Sequence, residues 1–218
     1  MTTPFIRNHH YNVIKRQVQL LQNACNTVAD PKVIEAVRYN ALQKIADALP
    51  EAADEQLQIV NQLELLRTNE QFQHYLQSLE PYLLAFEPVT ENQLKKLFPK
   101  VKKLKLPQLD TLDYRYLTYL GWMDIASNKM FLAYRLDGQL VGIEGRYTPL
   151  NKKNTCFLCN RHEEVALFSA ITKTKPKGAS PDYYKSIGNY MCVKSAACNS
   201  NITNPETLEG FIREVTGL

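Results

Sequence analysis

Four of the five cysteines in this 218-residue chain fall in its last third, as Cys156-Phe-Leu-Cys159 and Cys192-Val-Lys-Ser-Ala-Ala-Cys198. The first pair has the C-x2-C spacing of a zinc knuckle, where a tight turn aims two thiolates at one tetrahedral ion. The second pair is C-x5-C and follows after 32 residues. Four thiolates leave no open coordination position, so the expected metal is one structural Zn2+ and not a catalytic one. Two disulfides are the alternative, disfavoured by knuckle spacing in a chain expected to be cytosolic. A redox dithiol is weaker still, because no thioredoxin-like βαβ pattern surrounds Cys156 and Cys159. His162 lies three residues beyond Cys159 and competes as a ligand, but four sulfurs already fill the shell. Cys25 sits on a helical apolar stripe and reads as a small core residue.

Catalytic patterns are missing. No nucleophile elbow, zincin helix, phosphate-binding loop or dinucleotide fingerprint occurs. The pair His9-His10 reads as a solvated cap ahead of the first helix. Asp110 and Asp113 are close in sequence, yet nothing marks them as acid and base, and Asp124, Glu144 and Asp182 carry no signature either. The expectation is a binding protein with no small-molecule substrate, not an enzyme.

The elements that must position the cysteines divide in two. Tyr11, Ile14, Val18, Leu21, Cys25 and Val28 recur at helical spacing. Asp30-Pro31 is an N-cap followed by proline at the first helical position, and Ile34, Val37, Ala41, Ile45 and Leu49 continue the pattern up to Pro50. A third stripe is Ile59, Leu63, Leu66, and a fourth is Phe72, Leu76, Leu79, Leu83, Phe86, with Pro81 a kink or a break. Such stripes bury themselves against one another, which predicts a small antiparallel bundle over 1–88. All eight glycines lie later, from Gly121 onward.

The second part, 89–218, opens with a short helix over 91–98 entered from Thr90. Strand-like runs at 130–136 and 139–147 are joined by Asp137-Gly138, a dipeptide favoured in type I′ hairpins, and 116–122 reads as a further strand. A last helix begins near Asn204-Pro205, with Phe211, Ile212 and Val215 on its apolar face. Knuckle, hairpin and a second ligand pair beside a terminal helix make a treble-clef-like finger over about 150–218. The fold class expected is α+β: a helical bundle, then an α/β domain ending in the finger.

Charge follows the same division. The net formal charge is +4, but residues 1–90 carry seven basic and ten acidic residues (−3) and residues 91–218 carry 19 and 12 (+7). A basic second half suits an acidic partner, protein or RNA. The run Lys95, Lys96, Lys100, Lys102, Lys103, Lys105 reads as a solvated face, or as docking for an acidic protein surface or RNA. No apolar stretch approaches the ~20 residues of a membrane span. The start Met1-Thr-Thr-Pro-Phe lacks a signal-peptide pattern, so a cytoplasmic protein without membrane contact is expected.

Several stretches together carry a resemblance to a known family. These are His10-Tyr11-Asn12-x-Ile14, the run from Leu94-Lys95-Lys96-Leu97-Phe98 to Pro107, and Tyr119-Leu120-Gly121-Trp122 with Ala126-Ser127-Asn128. Gly142-x-x-Gly145, Gly188-x-Tyr190-x-Cys192 and both cysteine spacings follow in order. The chain resembles the FusB/FusC-type fusidic acid resistance proteins over nearly its whole length. The resemblance implies binding to elongation factor G, chiefly through the C-terminal domain. It further implies release of that factor from ribosomes on which fusidic acid has trapped it, in resistance or in a housekeeping role, with the drug unmodified. It assigns Tyr190 and Phe211 to the factor-binding face, with core packing of the finger as the competing role of each. The family's aromatic and lysine at two further positions are Thr155 and Ile187 here. A zinc-finger RNA- or ribosome-binding protein is the alternative function; direct RNA contact is not the favoured reading.

Overall fold

Tyr11, Ile14, Val18 and Leu21 are buried along one face of the first helix, α1 (Asn8–Thr27), as their spacing requires. Cys25, at the end of that stripe, is half-buried and not core. His9 and His10 lie inside the first turn instead of ahead of it, and both are half-buried. The computed structural model describes residues 3–174, 177, 178, 180 and 182–218. It divides into two compact units, Met1–Ala85 and Phe86–Leu218.

In the first unit, the Asp30 carboxylate accepts from the Lys32 amide at 2.9 Å and starts α2 (Pro31–Ala48). The third stripe supports only a short α3 (Asp54–Asn61), after which Gln62–Leu65 tightens to a 3-10 turn. Arg38, buried in α2, explains the change. Its Nη1 donates to the carbonyls of Leu63 at 3.1 Å, Glu64 at 3.0 Å and Leu66 at 3.0 Å. One guanidinium thus satisfies acceptors that would otherwise call for continued helix. A Thr68–Gln71 capping box opens α4 (Asn69–Ser78). Pro81 is a break and not a kink: Glu80–Tyr82 is a 3-10 turn, and Leu83 then bridges to Ile6 in parallel. Ile14, Leu21, Ile45, Leu63, Phe72 and Leu79 are all buried in the bundle.

The second unit begins with α5 (Glu91–Leu97), capped by Thr90 and Gln93. The expected strand at 116–122 starts later, as β1 (Leu120–Asp124). Residues 114–116 form a 3-10 turn, for which the Asp113 carboxylate accepts from the Arg115 amide at 3.1 Å. Then come β2 (Lys129–Leu136) and β3 (Gln139–Thr155), with Asp137 and Gly138 at φ of +49° and +78°. Two successive positive φ values define the type I′ turn. β4 (His162–Ile171) and β5 (Ser186–Cys192) complete, among the described residues, an antiparallel five-stranded sheet in sequence order. Short α6 (Ser195–Asn199) and α7 (Glu206–Thr216) follow.

The sheet is covered on both faces. Met130, Leu132 and Tyr134 of β2 join Ile143, Phe168, Phe211 and Ile212 on one side. Phe131 and Ala133 face the other way, toward Leu94, Phe98 and Trp122. α7 lays Leu208, Phe211, Ile212 and Val215 onto the first face, which is the face beneath the cysteines.

Candidate metal centre

Three local devices bring the four cysteines to the site. Cys156 and Cys159 flank a tight turn in which the Asn160 amide donates to the Cys156 carbonyl at 2.9 Å. Asn160 takes the left-handed conformation, φ +53°, which asparagine tolerates better than most residues, and so lets the chain reverse into β4. Cys192 ends β5, and Cys198 sits on α6. All four are buried and their Sγ atoms lie within 4.8 Å of one another. Cys156 and Cys198 sulfurs are 3.9 Å apart, and Cys159 and Cys192 sulfurs 3.7 Å. Ligands at a Zn–S bond length of ~2.3 Å stand about 3.8 Å apart at tetrahedral angles. The donor set therefore fits one Zn2+ and no open coordination position.

Electrostatics agree with that assignment. Three neighbouring S–H groups donate to the Cys156 sulfur and pull its thiol below the ordinary range. Hydrogen bonding with Cys156 and Cys159, then burial and the Cys156 charge, hold the Cys192 and Cys198 thiols above theirs. Four thiolates coexist here only around a cation. His162 opens β4 exposed and outside the sulfur cluster.

Behind the sulfurs lies Tyr119, wholly buried. Burial, with the Cys198 sulfur beside it, pushes its phenol well above the ordinary value, so the hydroxyl keeps its proton. Asn199, the residue after Cys198, bonds to the Tyr119 backbone through both its oxygen and its nitrogen.

The two aromatic residues expected on the partner face separate. Tyr190, on β5, is 40% exposed. Phe211 is 3% exposed and forms edge-to-face contacts with Phe168 at 5.9 Å and Phe157 at 6.0 Å. It points inward because the whole apolar stripe of α7 faces the sheet. A solvent-facing aromatic beside Tyr190 that spacing did not single out is Phe157, 39% exposed within the knuckle. Its amide donates to the Tyr190 carbonyl at 2.7 Å, which places the two residues side by side. Knuckle spacing alone does not single it out, because Leu158, the other residue between the two cysteines, is buried. Thr155 is exposed, and Ile187 is half-buried.

Comparison with known proteins places this geometry in a family. The model described as elongation factor G-binding protein, N-terminal, matches residues 5–87. The model described as FBP C-terminal treble-clef zinc-finger matches residues 98–216, more than half the chain. No curated protein matches in a sequence search. A solved structure of the fusidic acid resistance protein FusC is 28% identical, covers 97% of this chain and 97% of its own, and superposes with a TM-score of 0.80. The finger is thus a treble clef with one structural zinc ion. With a helical unit, a zinc-finger unit and both models matched in order, the chain belongs to the FusB/FusC-type family of elongation factor G-binding proteins.

Proposed function

We propose that this chain binds elongation factor G and releases it from ribosomes stalled by fusidic acid, acting in the cytoplasm as a binding protein and not as an enzyme. The division of labour is between a helical module over 1–88 and a factor-binding module over 89–218. The observation that carries the reading is the exposed pair Phe157 and Tyr190, held beside the buried four-sulfur cluster. Aromatic side chains fixed on a metal-clamped turn lose little freedom on docking, so their burial converts efficiently to affinity. Tyr190 is the direct contact. Phe211 acts behind it, through the edge of Phe157, as a positioning residue. The ligands of the zinc are Cys156, Cys159, Cys192 and Cys198.

Release follows from differential affinity. A ligand that binds the stalled and the free factor equally shifts nothing. The protein must therefore prefer a conformation of the factor that the stalled ribosome disfavours. Isothermal calorimetry of the zinc-loaded chain against elongation factor G from the same host tests the binding. Tyr190→Ala is expected to weaken it at least about tenfold, the scale of one interface hot spot, with an unchanged melting temperature. Absence of binding by the intact chain overturns the reading. Translation in vitro with fusidic acid, with the drug's mass checked before and after, tests release without modification.

A further inference from the structure

No carboxylate occurs between Glu91 and Asp110, a stretch that carries Lys95, Lys96, Lys100, Lys102, Lys103 and Lys105. All six lysines are exposed. The apolar residues interleaved with them are not. Leu94 and Phe98 are buried, and Leu97, Val101, Leu104 and Leu106 pack on the cluster that holds Trp122 and Phe131. The backbone is pinned as well: the Val101 amide donates to the Phe98 carbonyl at 3.1 Å, and Trp122 Nε1–H to the Lys105 carbonyl at 2.8 Å. The backbone of the stretch is fastened to the sheet and carries the exposed lysines as a basic ridge. Glu91 neutralises Lys95 at 2.9 Å, and Asp124 neutralises Lys105 at 3.3 Å. Among the described residues, no carboxylate pairs with Lys96, Lys100, Lys102 or Lys103.

Four uncompensated charges on an immobilised ridge repel one another and attract an extended polyanion. The choice of lysine narrows the chemistry. Arginine, whose planar fork grips a carboxylate through two bonds, is absent from the stretch. Lysine presents a point charge suited to phosphates contacted singly and in series. We propose that the Lys96–Lys103 ridge docks on the phosphodiester backbone of RNA. The preference for RNA over DNA rests on the proposed work at ribosomes; the charge geometry stands apart from it.

The test uses the zinc-loaded full chain and a fluorescent single-stranded RNA of about 20 nucleotides, titrated by anisotropy. Four phosphates neutralised predict a log–log salt slope of about −3, or roughly fifty-fold weaker binding on going from about 50 to about 200 mM KCl. The quadruple variant K96Q/K100Q/K102Q/K103Q is expected to lose at least about tenfold in RNA affinity and most of the slope. Its calorimetric affinity for elongation factor G should not change. The slope of the unaltered chain is a readout that needs no variant to fold. The proposal is overturned by a flat slope, by wild-type RNA affinity in the variant, or by tighter binding to DNA of the same length and sequence. It is equally overturned if the variant loses the factor instead of RNA, since the ridge then serves an acidic protein face. A chain that binds RNA as described but never the factor sinks the proposed function and leaves the ridge standing.

Discussion

Asn199 holds the Tyr119 backbone from both sides: its Oδ1 accepts from the Tyr119 amide at 3.1 Å, and its Nδ2 donates to the Tyr119 carbonyl at 2.9 Å. The same side chain also accepts from the Thr118 amide at 2.7 Å and donates to the Ser195 carbonyl at 3.1 Å. One buried amide thereby ties the helix that carries Cys198 to the start of β1. Tyr119, so held, forms the buried floor beneath the sulfurs.

Asn199→Ala removes all four bonds, and the Thr118 and Tyr119 amides lose this buried acceptor. Removing the partner of a buried polar group costs about 1–3 kcal/mol, so a loss of about 3 kcal/mol is expected. Urea unfolding followed by near-UV signals of the second unit measures it. A loss within the scatter of ordinary surface substitutions would show that the clamp contributes no stability.

The metal makes a sharper claim. Elemental analysis should give about one zinc per chain, as a closed four-sulfur shell requires. Cys198→Ser, or stripping with a strong chelator, should melt the finger, because metal-binding free energy is folding free energy in such modules. The helical circular dichroism of α1, α2 and α4 should survive, since none of the four sulfurs belongs to that unit. Simultaneous loss of both signals would falsify this independence.

Much of this centre was legible in the cysteine spacing, which specifies a knuckle and a second ligand pair and says nothing of what surrounds them. The Asn199 clamp was not, because it joins residues some eighty positions apart. That pairing also explains why β1 starts at Leu120: the Thr118 and Tyr119 amides are taken by Asn199 and not by a neighbouring strand. Phe211 shared its helix with Ile212 and Val215, and periodicity alone could not say that all three face the sheet. Likewise the third helical stripe was real, yet its helix ends at Asn61 because Arg38, from another helix, takes the carbonyls that follow. Local patterns identified the elements; long-range side-chain-to-backbone bonds decided where they stop.

Acid should weaken the first unit early. Burial, then the charges of His10 and Arg7, hold His9 down to about 3. Burial, then Arg7, holds His10 down to about 4. Both ordinarily titrate near 6.5, so below that pH the unfolded chain binds more protons than the folded one. Stability is therefore complete above about pH 6.5 and falls as pH drops toward these lowered values. Protonation also removes the acceptor at His10 Nδ1, which takes the Arg7 amide at 3.4 Å. Thermal melts of the helical signal at pH 7 and pH 5 measure the effect. The double variant H9Q/H10Q should flatten the dependence, and equal melting temperatures at both pH values in the unaltered chain would rule the effect out.

Two glycines should respond oppositely to the same added methyl. A Cβ on Gly145 would lie 2.5 Å from the Ser169 carbonyl oxygen and 2.6 Å from the Phe168 ring. The oxygen belongs to the β3–β4 ladder and the ring is locked against Phe211, so neither can yield cheaply. Overpacking of this kind costs about 1–3 kcal/mol, and backbone involvement places Gly145→Ala at the upper end, about 3 kcal/mol. A Cβ on Gly210, within α7, meets nothing within 4 Å. There the methyl only reduces the freedom of the unfolded chain, and Gly210→Ala should stabilise by about 0.5–1 kcal/mol. Paired urea titrations of the two variants decide it. Shifts of the same sign would mean that contact with Phe168 and Ser169 does not govern the first site.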